Sequence, residues 1–172
     1  MDNKQIEEIY SQMFAGSPLF YRDTTLAPTL ISKYRVGQIL KERGFTDMSY
    51  KGGGLVDNLR FLIASANATD LSALNPKSKR WGHVLLSSGA FFKVLDIYRI
   101  EDKTQIFLLE IPAAASDFYA STTSNVEQDV TRKARESFDT NIKSKPIAAL
   151  QTKQWKDRTE FSIGMSHNGD FF

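Results

Sequence analysis

The segment from Ala90 to Ile111, AFFKVLDIYRIEDKTQIFLLEI, decides the fold class. Its two halves are rich in Phe, Val, Leu, Ile and Tyr, which favour β-strands, and a polar tetrapeptide beginning at Glu101 separates them. This pattern predicts an antiparallel β-hairpin whose two-residue turn is Asp102-Lys103. With that turn, Asp96 lies opposite Leu109, because side chains alternate between the two faces of a strand.

Both faces of the predicted hairpin carry large apolar side chains. One face has Phe92, Val94, Asp96, Tyr98, Ile100, Phe107, Leu109 and Ile111, and the other has Phe91, Lys93, Leu95, Ile97, Arg99, Ile106, Leu108 and Glu110. A hairpin with one solvent face alternates more cleanly between apolar and polar residues. We therefore expect helices of the same chain on one face. On the other we expect a second copy of the chain or another protein partner.

The composition of the 172 residues, of which 41% are hydrophobic, predicts one globular domain spanning residues 1–172. There is no cysteine, so disulfides, thiol catalysis and cysteine-ligated zinc are excluded. No apolar run has membrane-spanning length, and the first residues lack a signal-peptide core, so we expect a soluble, cytoplasmic protein without membrane contact. A net charge of +2 does not by itself indicate nucleic-acid binding.

The periodicity of the remaining segments completes an α+β prediction. A first helix is expected around the apolar stripe from Ile6 to Phe14, with Asp2 or Asn3 as its N-cap and Gly16 and Pro18 to end it, and further helices over residues 32–43, 124–142 and 147–155. Strands are expected over residues 58–66, 84–86 and 160–165, in addition to the hairpin. The predicted fold is a mostly antiparallel sheet of about five strands centred on the hairpin, with helices packed chiefly on one face.

Two short segments have the composition of ligand-binding loops. Positive charge and an aromatic ring come together at Lys77, Lys79, Arg80 and Trp81, which could bind phosphates and stack on a base; alternatively, this is a solvated loop whose Trp81 turns into the core. The glycine run 52–54 after Lys51 lacks the Lys-Ser/Thr pair of a phosphate-binding loop, so we interpret it as a flexible loop.

Asp96 is a carboxylate in an apolar setting, which is costly unless the charge is paired, hydrogen-bonded or metal-bound. In a structural interpretation, a Lys or Arg of another element, or backbone amides, satisfies Asp96. In a functional interpretation, Asp96 and Glu110 hold one divalent ion. The predicted turn puts these carboxylates on opposite faces, so the second interpretation needs a register shift of one residue.

Asp96, Glu110 and the flanking helices partly resemble the PD-(D/E)xK nuclease core, in which an Asp on one strand and a Glu-x-Lys on the next hold a divalent metal. The resemblance implies a divergent metal-dependent nuclease with Asp96 and Glu110 as catalytic residues. The sequence departs from that pattern, since Glu110-Ile111-Pro112 lacks the Lys and no Pro precedes Asp96.

No set of nucleophile, base and orienting group can be assembled from these motifs. We therefore expect a non-catalytic binding or protein-interaction domain that has no cofactor and no metal. The alternatives are the divergent nuclease and a nucleic-acid-binding module without catalysis.

Overall fold

An eight-stranded, mostly antiparallel sheet organises the computed structural model, which describes residues 2–14 and 18–172. The strands are β1 (Leu19–Thr24), β2 (Ile39–Lys41), β3 (Thr46–Ser49), β4 (Leu59–Ala64), β5 (Thr69–Asp70), β6 (His83–Leu86), β7 (Phe91–Ile100) and β8 (Lys103–Ile111). Their order in the sheet is β2-β7-β8-β4-β1-β3-β6-β5, and of these pairs β4 and β8 run parallel. The α+β class is thus confirmed, but the prediction of about five strands is wrong, because the alternation of β1 was missed and because β2, β3 and β5 are too short to give a periodic signal.

Across residues 2–14 and 18–172, six α-helices and two 3₁₀ turns connect or cover these strands. The helices are α1 (Asn3–Phe14), α2 (Pro28–Ile31), α3 (Pro76–Trp81), α4 (Ser116–Ser121), α5 (Asn125–Asn141) and α6 (Lys153–Thr159), and the 3₁₀ turns are Ala113–Ala115 and Ala148–Gln151. Within the described ranges, no helix is long and apolar enough to cross a membrane. The first predicted helix and the helix predicted over 124–142 are confirmed as α1 and α5; the stop predicted at Gly16 lies outside the described residues.

Three other local predictions were wrong. The helix predicted over 32–43 does not form: α2 ends at Ile31, the chain turns at Gly37, whose φ is 87°, and β2 follows. The helix predicted over 147–155 is a 3₁₀ turn followed by α6. The strand predicted over 160–165 forms only a single bridge, between Met165 and Phe171.

The central hairpin is confirmed, but its register differs from the prediction. Ile100 pairs with Lys103, so the two-residue turn is Glu101-Asp102, and Glu101 adopts a φ of 56°. A bulge between Val94 and Asp96 then moves Phe91 and Lys93 onto the Asp96 face.

The chain itself covers both faces of the hairpin. Val94 and Ile106 on one face belong to a core that also includes Ile163 and Met165 of the C-terminal segment. Leu95 and Phe107 belong to a second core, which includes Tyr119 of α4 and Ala134 of α5. The hairpin therefore lacks the uncovered apolar face that motivated the self-association prediction. Association with a second copy or a protein partner stays a prediction.

The glycine run is packed rather than flexible, which corrects its interpretation as a plain loop. Gly53 and Gly54 are buried, and the amide of Gly54 donates to the carbonyl of Lys145 at 3.0 Å. A Cβ on Gly54 would lie 2.2 Å from the carbonyl oxygen of Ser144. The loop therefore sets the path of the connector that leads from α5 to α6.

Gly54→Ala should consequently lower the free energy of unfolding by about 1 to 3 kcal/mol, because backbone on both sides must move to accept the methyl group. Gly44→Ala is the matched control, since a methyl group on Gly44 would have its nearest neighbour 3.9 Å away, on the side chain of Glu42. Urea denaturation of both variants measures the difference. Equal loss of stability in the two variants would contradict the packing argument.

Candidate functional site

Strands β1 and β3 are neighbours in the sheet but are joined by one residue pair, Tyr21 with Ser49. The C-terminal residues 158–161 lie beside them, since the carbonyls of Arg158, Glu160 and Phe161 accept hydrogen bonds from β1 side chains. The donors are Arg22 and Thr24, which share a face of β1 because they are two residues apart.

Arg22 is a buried cation held by neutral groups. Its Nη2 donates to the carbonyl of Phe161 at 2.7 Å, and its Nη1 donates to the carbonyl of Asp47 at 3.1 Å. A longer bond, 3.5 Å, joins Nη1 to the carbonyl of Arg158. The buried Nε has no hydrogen-bond partner among the described residues.

Burial and nearby charges act on the pKa of Arg22 in opposite directions. Burial lowers the pKa of its guanidinium, and the negative charges of Asp47 and Glu42 oppose that shift. Across the residues that the structure describes, no carboxylate accepts a hydrogen bond from Arg22. A buried guanidinium with a spare donor is suited to binding an anion.

A carboxylate and an imidazole are paired on the neighbouring strands. Ser49 of β3 lies opposite His83 of β6, and Asp47 is two residues before Ser49, so Asp47 and His83 point to the same face. His83 Nε2 and Asp47 Oδ1 are 2.7 Å apart, and the side chains are 4% and 16% exposed. Because an ionised carboxylate only accepts, we assign the proton to Nε2. Arg158 Nη1 lies 3.8 Å from the same Asp47 oxygen.

Two indole rings pack against the imidazole of His83. The ring centroids of His83 and Trp155 are 5.2 Å apart in an edge-to-face arrangement, and those of Trp81 and Trp155 are 5.5 Å apart. Helix α3 ends at Trp81 because Gly82 adopts the left-handed conformation, with φ 60°, and this turn starts β6 at His83. Ser49 Oγ donates to the Trp81 carbonyl at 2.6 Å, which ties the end of α3 to β3.

A cavity of about 770 Å³ opens next to the aromatic rings. It is lined by residues of α3 and α6 and of the loop before α3, namely Asn75, Pro76, Lys77, Ser78, Trp81, Gln154, Asp157 and Arg158. Arg158 connects the cavity to the Asp47 carboxylate, and its guanidinium carbon also lies 5.6 Å from the centroid of the Trp81 ring. The cavity therefore combines two cations, the carboxylate of Asp157, an indole and an adjacent carboxylate–imidazole pair.

The structure separates the four residues of the predicted basic binding segment. Lys77 and Trp81 line the cavity, whereas Lys79 and Arg80 are exposed on α3 and are not among its lining residues. Trp81 is buried, as the alternative for this segment anticipated, although the segment is a helix and not a loop. A ligand-binding role for these residues stays a prediction.

The structure does not bring Asp96 and Glu110 together. Asp96 pairs with Phe107 and Glu110 pairs with Phe92, and these partners belong to the two different cores, so the carboxylates lie on opposite faces. Arg135 of α5 donates to both Asp96 oxygens at 2.7 Å. The expectation that a cation of another element satisfies Asp96 is thus confirmed.

Glu110 is also engaged by hydrogen bonds. Its Oε1 accepts from Ser65 Oγ at 2.8 Å and from Asn67 Nδ2 at 3.2 Å. The register shift that a shared metal site requires does occur, but it lies at Leu95 and carries Phe91 and Lys93, not Glu110, to the Asp96 face. This geometry removes the basis of the nuclease resemblance.

Sequence reasoning missed Arg22 and Asp47, and it gave no role to His83. The three residues come from separate strands, and no motif links them. A weak signal was available in the alternation of LFYRDT, which places Arg22 on the same face as Phe20.

No protein-family model matches the chain, and no curated protein matches it in sequence. Among solved structures, it is similar to the ADP-ribosyltransferase HopU1 of Pseudomonas syringae, with a TM-score of 0.50, 17% identity, and coverage of 55% of this chain and 46% of that one. The ADP-ribosyltransferase Vis of Vibrio splendidus gives a TM-score of 0.49 and 22% identity over 58% of this chain and 51% of that one. Exoenzyme S of Pseudomonas aeruginosa gives 0.48 and 19% over 74% and 66%.

These similarities correct the functional predictions. The expected non-catalytic binding or protein-interaction domain, the divergent nuclease and the nucleic-acid-binding module are all contradicted, because HopU1, which is similar to this chain, is an ADP-ribosyltransferase. The chain spans about half the length of HopU1 and of Vis. At this level of identity, the similarity to HopU1 shows that the matched part of this chain shares the fold of an ADP-ribosyltransferase.

Proposed function

We propose that this chain binds NAD and transfers its ADP-ribose group to a nucleophilic acceptor, with Asp47 and His83 as the catalytic pair. The observation that carries the proposal is the position of this pair next to a cavity of about 770 Å³ that also presents Lys77 and Arg158. The shared fold with an ADP-ribosyltransferase supports the choice of reaction.

The charges around the cavity suit a dinucleotide. NAD carries a diphosphate, and Lys and Arg are the side chains that bind phosphate oxygens most strongly. Lys77 and Arg158 line the cavity together with Asp157, whose carboxylate is paired with Lys153, and Arg22 donates to the carbonyl of Arg158 and has a spare donor. Trp81 offers an aromatic surface for a base or for the nicotinamide ring.

The reaction needs a negative charge at the ribose. The bond between C1′ and the nicotinamide nitrogen breaks, nicotinamide leaves with the electron pair, and the acceptor forms a new bond to C1′. The ribose passes through an oxocarbenium-like transition state, which a nearby carboxylate stabilises. Asp47 provides that carboxylate, His83 orients it through the 2.7 Å hydrogen bond, and the pair accepts the proton that the acceptor releases.

Incubation of the full chain with NAD should release nicotinamide. The ADP-ribose should then be attached to an added acceptor or to the chain itself, or be released as free ADP-ribose when water is the acceptor. Chromatography of the products together with intact-mass measurement detects each of these outcomes. Binding of NAD without release of nicotinamide, whichever acceptor is present, would contradict the transfer of ADP-ribose. A chain that does not bind NAD would contradict the whole proposal.

Lys77→Glu should raise the Kd for NAD about tenfold, because one charge-assisted contact to the diphosphate is replaced by repulsion. Tryptophan fluorescence measures this binding, since Trp81 lines the cavity and Trp155 packs on it. Lys79→Glu is the matched control, because it makes the same charge change on the same helix away from the cavity. Equal weakening by both substitutions would show that general charge, and not this cavity, governs the affinity.

A further inference from the structure

The C-terminal end of α6 and the residues after it cover Arg22. We call residues 158–161 the cover segment. The carbonyls of Arg158 and Phe161 accept hydrogen bonds from the Arg22 side chain, and the carbonyl of Glu160 accepts one from Thr24 Oγ1 at 3.0 Å. The cover segment therefore occupies the donors of Arg22 with peptide oxygens.

Peptide carbonyls are weaker partners for a guanidinium than phosphate oxygens. A bond from the guanidinium to a peptide carbonyl is already charge-assisted, and a phosphate oxygen adds to it the direct attraction between two opposite charges. Arg22 has no carboxylate hydrogen-bonded to it within the described residues, and its Nε is unused. An anion that replaced the carbonyls would gain the charge pairing that the closed arrangement lacks.

From this geometry we infer that the cover segment is an autoinhibitory element, which a diphosphate displaces from Arg22. The inference rests on the proposed function in one respect, namely that the displacing group belongs to NAD. In the closed state Arg22 is unavailable, so the apparent affinity for the ligand is reduced by the fraction of molecules that are open.

The packing on either side of the cover segment lets it move while the fold stays intact. Trp155 precedes it and Ile163 follows it, and both are buried in clusters of aromatic or apolar side chains. Between these anchors, the side chains of Glu160 and Phe161 are exposed. Opening breaks the side-chain hydrogen bonds that Arg22 and Thr24 donate to these carbonyls, separates Phe161 from the ring of His167 and exposes Thr159, the one buried side chain of the segment.

Thr24→Val tests the inference by removing one hydrogen bond that closes the cover segment. The open fraction should rise, and the affinity for inorganic pyrophosphate, measured by calorimetry, should increase about fivefold. Thr25→Val is the matched control, because the Thr25 hydroxyl donates to Asp57 and not to the cover segment. Its affinity for pyrophosphate should equal that of the unsubstituted chain.

Hydrogen–deuterium exchange reports the motion directly. Pyrophosphate should accelerate amide exchange in peptides that contain residues 158–162 and leave exchange in α5 unchanged. Arg22→Met should remain folded, because an apolar side chain of similar size replaces a buried charge, and its exchange should no longer respond to pyrophosphate. Binding of pyrophosphate with unchanged exchange in the cover segment, a response that survives in Arg22→Met, or no binding at all would each overturn the inference.

The two proposals fail in different ways. A chain whose cover segment responds to pyrophosphate but which releases no nicotinamide from NAD keeps the inference and loses the transfer reaction. A chain that transfers ADP-ribose without any change of exchange in the cover segment keeps the function and loses the autoinhibition.

Discussion

Asp23→Ala should lower the free energy of unfolding by about 3 to 5 kcal/mol, because it leaves a buried guanidinium without its counter-ion. Arg60 of β4 is one of the largest fully buried side chains of the described residues. Its Nε and Nη2 donate to the two oxygens of Asp23 on β1 at 2.8 and 2.9 Å. The two residues face each other in the β1–β4 ladder, so the pair also joins the strand that carries Arg22 to the centre of the sheet.

The double substitution Asp23→Leu with Arg60→Met separates the lost charge pairing from lost packing. Apolar residues of similar volume often replace a buried ion pair without loss of stability, so the double variant should unfold near the temperature of the original chain. The single variant should melt roughly 10 °C lower. Asp129→Ala is the control, because Asp129 forms exposed ion pairs with Arg132 and Lys133. This substitution should leave the melting temperature nearly unchanged. A small effect of Asp23→Ala would mean that water or another group compensates Arg60.

The sequence was informative where structure follows from local periodicity. The hairpin and helix α5 were predicted because each repeats its own pattern over many residues, and the Ser124–Glu127 capping box marks the start of α5. The turn was misplaced because Glu101 adopts a positive φ, which residues other than glycine rarely do. The bulge at Leu95 could not be predicted from the alternation of apolar and polar residues. Apolar side chains on both sides of Leu95 are compatible with either register of the hairpin.

The candidate site was not predictable in the same way, because its residues meet only through non-local pairing. Asp47 lies in a four-residue strand, and His83 joins it through the β3–β6 ladder. Arg22 reads as an ordinary surface cation in the sequence, and it becomes unusual only because the cover segment, far along the chain, buries it. The sequence did identify Trp81 and Lys77 as a local concentration of charge and aromatic surface, and both line the cavity.

If the proposed reaction is correct, Asp47→Asn should lower kcat/KM for nicotinamide release about 10²- to 10⁴-fold. The substitution keeps an oxygen that accepts from His83 Nε2, so the 2.7 Å contact and the packing of Trp155 on His83 are retained. It removes the negative charge that would stabilise the oxocarbenium-like ribose. Because the lost interaction is made in the transition state, we expect kcat to fall while KM changes little.

A comparison with His83→Gln distinguishes a catalytic carboxylate from a carboxylate that only stabilises the fold. His83→Gln keeps a hydrogen-bond donor beside Asp47 but removes the imidazole, so it should cost less activity than Asp47→Asn if the carboxylate acts on the ribose and the imidazole positions it. Asp70→Asn, at an exposed carboxylate on β5, is the control for charge in the same part of the sheet. Circular dichroism and thermal melts establish that all three variants are folded before their rates are compared. A folded Asp47→Asn variant with unchanged kcat would exclude Asp47 from the chemistry, because a charge that stabilises the transition state cannot be removed without slowing the reaction.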